Sequence, residues 1–370
     1  MSFSFWESDY FSSNAGVAVI GTGIVGLSTA IHLKRLNPGL KVVAIDRQWP
    51  PHGASTKNAG FMCFGSPTEI TDDIEQIGEE QAMLTFKARY EGRTTLFTLL
   101  QDADIDYQNC GGIELMEKHD NQNVDIGYLN ALIKNVIGIN EYFKTIENIS
   151  FPNFSKEAYL APEEGKVNPV KIVSVLKRLA DLEGVKFVFK EIKQLDDANA
   201  TVIFKDGSII QADQLAITLN AFTPALLPGI DDVVPARNNV LVTSPVPEFR
   251  LEQVLHIDKG YLYMRKVGDR ILFGGARNKF GPGEYTDDLQ INEAVIDYLV
   301  EYLKQKMGIQ SEFSVEYTWA GILGVGRSKK PIISRINQKS CVGVRLGGMG
   351  VAIGAKVGKD LAELILDIKN

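Results

Sequence analysis

The stretch Val17-Ala18-Val19-Ile20-Gly21-Thr22-Gly23-Ile24-Val25-Gly26 is followed by Leu27 to Leu36 at helical spacing and by an apolar run that ends at Asp46. Four apolar residues in succession read as a strand covered on both faces. The G-x-G-x-x-G after it opens a helix, which Asn37-Pro38-Gly39 stops. In such a strand-turn-helix each part has a task. Gly21 allows the tight turn, Gly23 lets the backbone approach a pyrophosphate, and Gly26 brings helix and strand together, while Thr22, Ile24 and Val25 carry the N–H groups of the turn and the helix start. Asp46, twenty residues past Gly26, stands where a carboxylate accepts hydrogen bonds from ribose hydroxyls. The segment predicts a βαβ unit that binds a dinucleotide.

Glycine is unevenly placed along the rest of the 370 residues: seven of the 34 lie between Gly21 and Gly65 and nine between Gly321 and Gly358. Backbone that turns tightly or lies against a ligand calls for glycine, so both windows point to one binding site. Gly53-Ala54-Ser55-Thr56-Lys57-Asn58-Ala59-Gly60 is a run of small and hydrogen-bonding residues suited to a large flat ligand.

Composition narrows the function. With 39 Lys and Arg against 46 Asp and Glu the net charge is −7, and no basic face for a nucleic acid is indicated. Cys63, Cys110 and Cys341 are far apart and never in a C-x-x-C spacing, which argues against a disulfide framework or structural zinc and for a reducing, cytoplasmic compartment. The four histidines, His32, His52, His119 and His256, form no i, i+4 metal pair. Residues 14–33 hold no charge, yet they follow Glu7 and Asp9 rather than a basic region and are broken by four glycines, so neither a signal peptide nor a membrane span is expected.

Periodicity predicts helices over 80–101, 124–146, 170–182, 287–307 and 350–368, a hairpin over 201–211 around Asp206-Gly207, and strands over 215–218, 239–243, 261–266, 270–274, 313–319 and 341–346. The expected fold is α/β: a Rossmann-like parallel sheet with helices, interleaved with an antiparallel-sheet α+β substrate domain. The first would comprise 14–80, 160–228 and 315–370, the second 81–159 and 229–314. An aromatic arm over 1–13 would pack its rings on the body.

In order along nearly the whole chain, the opening glycine motif, Gly53 to Gly60, Gly165 to Pro169, Leu215 to Pro228, Tyr261 to Arg277 and Trp319 to Ala362 resemble the FAD-dependent amino-acid and amine oxidoreductases, the family of glycine oxidase, D-amino-acid oxidase and monomeric sarcosine oxidase. The resemblance implies noncovalent FAD, since Lys57 stands where histidyl-FAD relatives carry the linking histidine and no cysteine lies between Trp319 and Pro331. It places Asp46 and Arg47 at the ribose and adenine end, and Gly53, Ala54, Ser55, Asn58, Ala59, Gly60 and Phe61 along the phosphates and flavin. Ile192 would meet adenine, Thr218 and Asn220 the pyrophosphate, and Gly348, Met349, Gly350, Val351, Ala352 and Ile353 the pyrimidine edge of the ring. Asn220 replaces a glycine of the family there.

The implied chemistry is hydride transfer from the carbon bearing an amine to flavin N5, followed by hydrolysis of the imine. A small amine or amino acid would be the substrate, with oxygen or another electron acceptor. The substrate side departs from the family: Leu323 stands where glycine oxidase has its carboxylate-binding arginine, and Leu272 where sarcosine oxidase has its oxygen-activating lysine. Arg277 and Arg327 are the substitutes, with Tyr261 and Tyr263 beside them. Oxidation of a hydroxy acid with a non-oxygen acceptor, and a non-catalytic flavin-binding role, stay open at this point. An NAD-dependent dehydrogenase would not need Gly53 to Gly60 or the C-terminal glycines.

Overall fold

The computed structural model describes residues 3–11, 15–118, 124–147, 149 and 151–368; His119 lies outside them. One sheet runs in the order Lys186–Phe189, Val42–Asp46, Ala15–Ile20, Ile209–Ile217, Ser340–Val344, all parallel, with Ile332–Arg335 added antiparallel at its edge. Every residue of Ala15–Ile20 is buried. Alternation along the strand sends Val17 and Val19 to one core, with Leu27, Ile31 and Leu361 of the covering helices, and Ala18 and Ile20 to a second core on the other face. That second face is covered by Thr201–Phe204 and Ile192–Asp196, which continue from Ile209–Ile217 as an antiparallel meander. The expected hairpin strand and the buried strand after it are therefore one strand with two pairing modes.

The other large sheet is antiparallel except where Val254–Ile257 lies parallel to Gly112–Glu117. It is backed by helix Glu293–Gln305, whose Val295, Leu299 and Leu303 pack among Leu241, Met264 and Phe273. Strands of the first sheet come from 15–46, 186–217 and 332–344, and those of the second from 112–161 and 234–325, so the chain leaves the first sheet and returns twice.

Several expectations need correction. The helix expected over 124–146 ends at Ile137, because Gly138 takes a left-handed conformation, and Lys144–Ile146 is a strand. The helix expected from 287 starts at Glu293, capped by the Asn292 side chain, which accepts from the Ala294 N–H. Val315–Val325 is a single strand that runs through Gly321 and Gly324 and pairs with Val234–Thr243, so the return to the first sheet falls after Val325 rather than at 315. Helix Glu79–Leu100, expected on the substrate side, contributes Phe86, Leu96 and Leu99 to the first core. Of the N-terminal rings, Phe3 stacks on Phe11 and meets Phe204 edge-on, whereas Phe5 and Trp6 are more than 70% exposed.

Candidate active site

Two cavities of about 450 and 470 Å³ lie on either side of Ala54, Asn58, Leu323, Gly348 and Val351, which line both and join them into one trough. The first cavity begins at the glycine loop. Gly21 has a φ of +106°, and a Cβ on Gly26 would sit 1.9 Å from the Gly21 carbonyl oxygen, so strand and helix meet as closely as backbone allows. Helix Ile24–Leu36 has no capping side chain on Gly23; Ser55 Oγ accepts the Ile24 N–H at 3.0 Å, and the next N–H groups have no acceptor within the helix. Asp46 Oδ2 accepts from the backbone N–H and the hydroxyl of Thr22 at 2.8 and 2.9 Å. The strand-end carboxylate thus ties down the loop and retains lone pairs toward the cavity. Arg47 lies over the Phe222 ring at 5.0 Å, and Ile192 and Thr218 complete this end.

Asn220 resolves its own mismatch. Its φ of +47° is the left-handed conformation glycine would adopt and asparagine tolerates. Its Oδ1 accepts from the Arg345 and Leu346 N–H groups at 2.9 and 3.3 Å, so the side chain braces the next loop.

Of the expected cofactor residues, Thr22, Gly26, Gly60, Ala352 and Ile353 line neither cavity. Thr22, Ala352 and Ile353 are buried, and the Gly60 carbonyl is held by the Val167 N–H and the Arg265 guanidinium. These five shape the trough from behind. Helix Gly350–Ile365, with no side-chain cap, begins where the two cavities join.

The second cavity is walled by the second sheet, with Ala236, Asn238 and Tyr263 facing it, and by helix Pro67–Ile77 opposite. Sequence reasoning missed that helix, although Ser66-Pro67 is a usable start signal. Glu114, fully buried, anchors its first turn by accepting from Ser66 Oγ at 2.6 Å, the Thr68 N–H at 2.9 Å and the Thr68 hydroxyl. Four residues apart on one face, Glu69 and Asp73 both meet Lys329, at 3.0 and 2.7 Å, and Arg89 adds a second cation to Glu69 at 3.2 Å. Burial alone would raise the Glu69 pKa; Lys329 and Arg89 outweigh it and hold the carboxyl down at about 2. Asp73 goes the other way, raised by burial and by Glu69.

Five cations line this cavity. Lys329 is paired as above, Lys259 with Asp72, and Arg327 with Asp232 through a side chain that is 87% exposed. Among the described residues Arg277 and Lys57 have no ion pair; the Lys57 carbonyl instead accepts the Trp319 indole N–H at 2.9 Å. The Arg277 guanidinium lies over the Tyr261 ring at 4.7 Å. Tyr263, two residues along, is pushed up to about 12 by burial, against the nearby Arg277 charge. His256 also faces the cavity, with Nε2 2.9 Å from Glu164; burial lowers its pKa, but the carboxylate outweighs burial and raises it above the ordinary histidine value.

The family model for FAD dependent oxidoreductases, DAO, matches residues 16–364. The chain belongs to this family of FAD-dependent oxidoreductases. It is 24% identical to the probable oxidoreductase OrdL of Rhizobium meliloti over 96% of this chain and 84% of that one, and 21% identical to the gamma-glutamylputrescine oxidoreductase of Escherichia coli over 96% and 84%. Among solved structures, L-proline dehydrogenase from P. horikoshii superposes with a TM-score of 0.78 at 20% identity, covering 97% of this chain and 95% of that one. Glycine oxidase from Bacillus cereus gives 0.72 at 18%, covering 96% of both. The expected FAD-binding fold is thereby established, and no described helix is long and apolar enough to cross a membrane. The glycine loop, the uncapped helix start and the Asp46 carboxylate fit a dinucleotide in the first cavity on chemical grounds.

Proposed function

We propose that this protein oxidises the C–N bond of a small amino acid whose carboxylate is bound by Arg277. The observation that carries this reading is a guanidinium with no ion pair among the described residues, stacked on Tyr261 in a cavity that joins the FAD side of the trough. Bound FAD supplies the two-electron acceptor for hydride from the carbon that bears the amine. The protein's part is to hold that carbon. Arg277 offers a planar fork of donors to a carboxylate, and Phe61, Leu323, Met349 and Val351 give the neighbouring walls an apolar surface that excludes water. The first turn of Gly350–Ile365 brings its positive end to the same junction.

A hydroxy acid would use the same carboxylate contact but would also need a base for its hydroxyl proton. Nε2 of His256, the histidine on this wall, is already engaged with Glu164 at 2.9 Å and is not free to take that proton.

Titrating the FAD-loaded protein anaerobically with amino acids and N-methyl amines, while following visible absorbance, tests the reading. Bleaching by a carboxylate-bearing amine is the expected result, and reoxidation by air or only by a dye separates oxidase from dehydrogenase. Arg277→Ala should lower kcat/KM for the best such substrate by the equivalent of about 2 to 5 kcal/mol while the flavin spectrum stays unchanged. An unaltered kcat/KM overturns the assignment.

A further inference from the structure

Arg277 is carried by a stretch with little regular structure of its own. Strand Arg270–Gly275 ends one residue before it, at Ala276, whose φ of +64° is a left-handed conformation that residues other than glycine rarely adopt and whose N–H donates to the Tyr261 carbonyl at 2.8 Å. A single helical turn, Arg277–Phe280, and a 3-10 turn, Gly281–Glu284, follow. Asn278 and Lys279 reach Asp258 at 3.0 and 2.9 Å, in contacts partly open to solvent. The far end is held inside the protein. The Glu284 side chain is 2% exposed; its Oε1 accepts from Arg237 Nη2 at 2.9 Å and Asn292 Nδ2 at 2.7 Å, and its Oε2 from Arg237 Nε at 3.1 Å and Asn239 Nδ2 at 2.9 Å. These donors fill the carboxylate and leave no acceptor position for a ligand, although Glu284 stands in the wall of the second cavity. Burial alone would raise its pKa; the Arg237 and Asn292 donors outweigh it and hold the carboxyl below its ordinary value. Arg237 also donates to the Gln290 and Gly283 carbonyls, at 2.9 and 3.3 Å.

We propose that Glu284 is a positioning residue for substrate binding: its clamp on strand Val234–Thr243 fixes the far end of residues 277–284, so that the Arg277 guanidinium stays on the Tyr261 ring, where it meets the carboxylate. This rests on the carboxylate reading of Arg277. An apolar pair of the same volume would hold the segment about as firmly as this buried ion pair. What the charged pair adds is direction, because a forked guanidinium and two amides admit one placement of the carboxylate.

The test is a double-mutant cycle on the FAD-loaded protein, with the amino acid that bleaches the flavin most effectively. Glu284→Gln keeps the shape, removes the charge and turns an amide NH2 toward groups that donate to the carboxylate. It should raise KM by about ten-fold and keep kcat within about three-fold, since the carboxylate contact is the same before and during hydride transfer. In an Arg277→Ala background the same substitution should change kcat/KM by less than about two-fold, because an effect that passes through Arg277 then has nothing to act on. Arg237→Lys, which keeps the buried positive charge and loses the fork, should show the same pattern with a rise in KM of about three-fold or more. It decides the matter alone if Glu284→Gln fails to hold FAD. An equal loss in the two backgrounds, a loss carried by kcat alone, or no loss in either variant overturns the role of Glu284 and leaves that of Arg277 standing. If Arg277→Ala itself leaves kcat/KM unaltered, the carboxylate reading fails and this inference with it.

Discussion

The two halves of the trough are built by opposite means. The FAD side is defined at its glycine loop largely by what is missing: Gly21, Gly23 and Gly53 leave room, and backbone N–H groups and the Asp46 carboxylate supply the polarity of that loop. The substrate side is defined by charged side chains, with Glu69, Asp73, Lys259, Arg277 and Lys329 drawn from four separate stretches of chain. A cradle made of backbone depends on local geometry and fails when an atom is added. A wall of charges depends on long-range pairing and fails when a partner is removed.

The sharpest way to break that contrast is Gly26→Ala. The added methyl would sit 1.9 Å from the Gly21 carbonyl oxygen and 2.7 Å from Thr218 Oγ1. Neither is the end of a flexible side chain, so the first strand and its helix must separate. Overpacking of this kind costs about 3 kcal/mol or more when backbone has to move. FAD absorbance per mole of protein after gel filtration should fall to a small fraction of wild type, with a lowered Tm. Full FAD retention would mean that the close contact does not set the cradle.

The same contrast explains what the sequence discloses. The FAD side was legible because its parts lie within one βαβ unit and a short run after it, where spacing alone carries the geometry. The second glycine window is a different case. Cβ atoms on Gly354 and Gly358 would meet Ile24 at 3.0 Å and the Val25 carbonyl oxygen at 2.7 Å, so these two glycines let the closing helix pack on the nucleotide helix. They hold the cradle from behind, which composition cannot distinguish from touching the ligand. On the substrate side, Lys329 and Glu69 are 260 residues apart in sequence, and no local pattern predicts their pairing.

Lys329→Met sharpens the comparison from the other side, with a smaller effect. It leaves Glu69 paired with Arg89 and takes away the Lys329 partner of Asp73. Breaking a buried pair usually costs about 3 to 5 kcal/mol, but the Lys329 side chain is 34% exposed, so about 1 to 3 kcal/mol is expected after solvent screening. The pH dependence gives the sign. Glu69 has its folded pKa lowered from 4.5 to about 2, so its stabilising contribution is complete above 4.5 and is lost as pH falls toward 2. The gap in stability between wild type and variant, followed by urea denaturation, should therefore be widest at neutral pH and shrink through that window as the carboxyl takes up its proton. A gap independent of pH would assign the loss to packing instead.

The smallest effect is expected at Arg327, which the sequence placed beside Arg277 as a substitute for the arginine missing at Leu323. Both line the same cavity, but their settings differ in the two respects that decide what a cation can do. The Arg327 side chain is 87% exposed and shares its charge with Asp232, at 3.4 Å from Nε. Water already solvates its guanidinium, so a substrate carboxylate gains little by replacing one weak partner with another. The backbone N–H of Arg327 also donates to Asp232 Oδ1 at 2.7 Å, a contact that survives truncation of the side chain and keeps the loop in place. Arg327→Ala should accordingly leave kcat/KM within about two-fold of wild type, where Arg277→Ala removes most of it. A loss at Arg327 as large as that at Arg277 would show that the mouth of the cavity closes over the substrate, bringing the exposed arginine into a desolvated position.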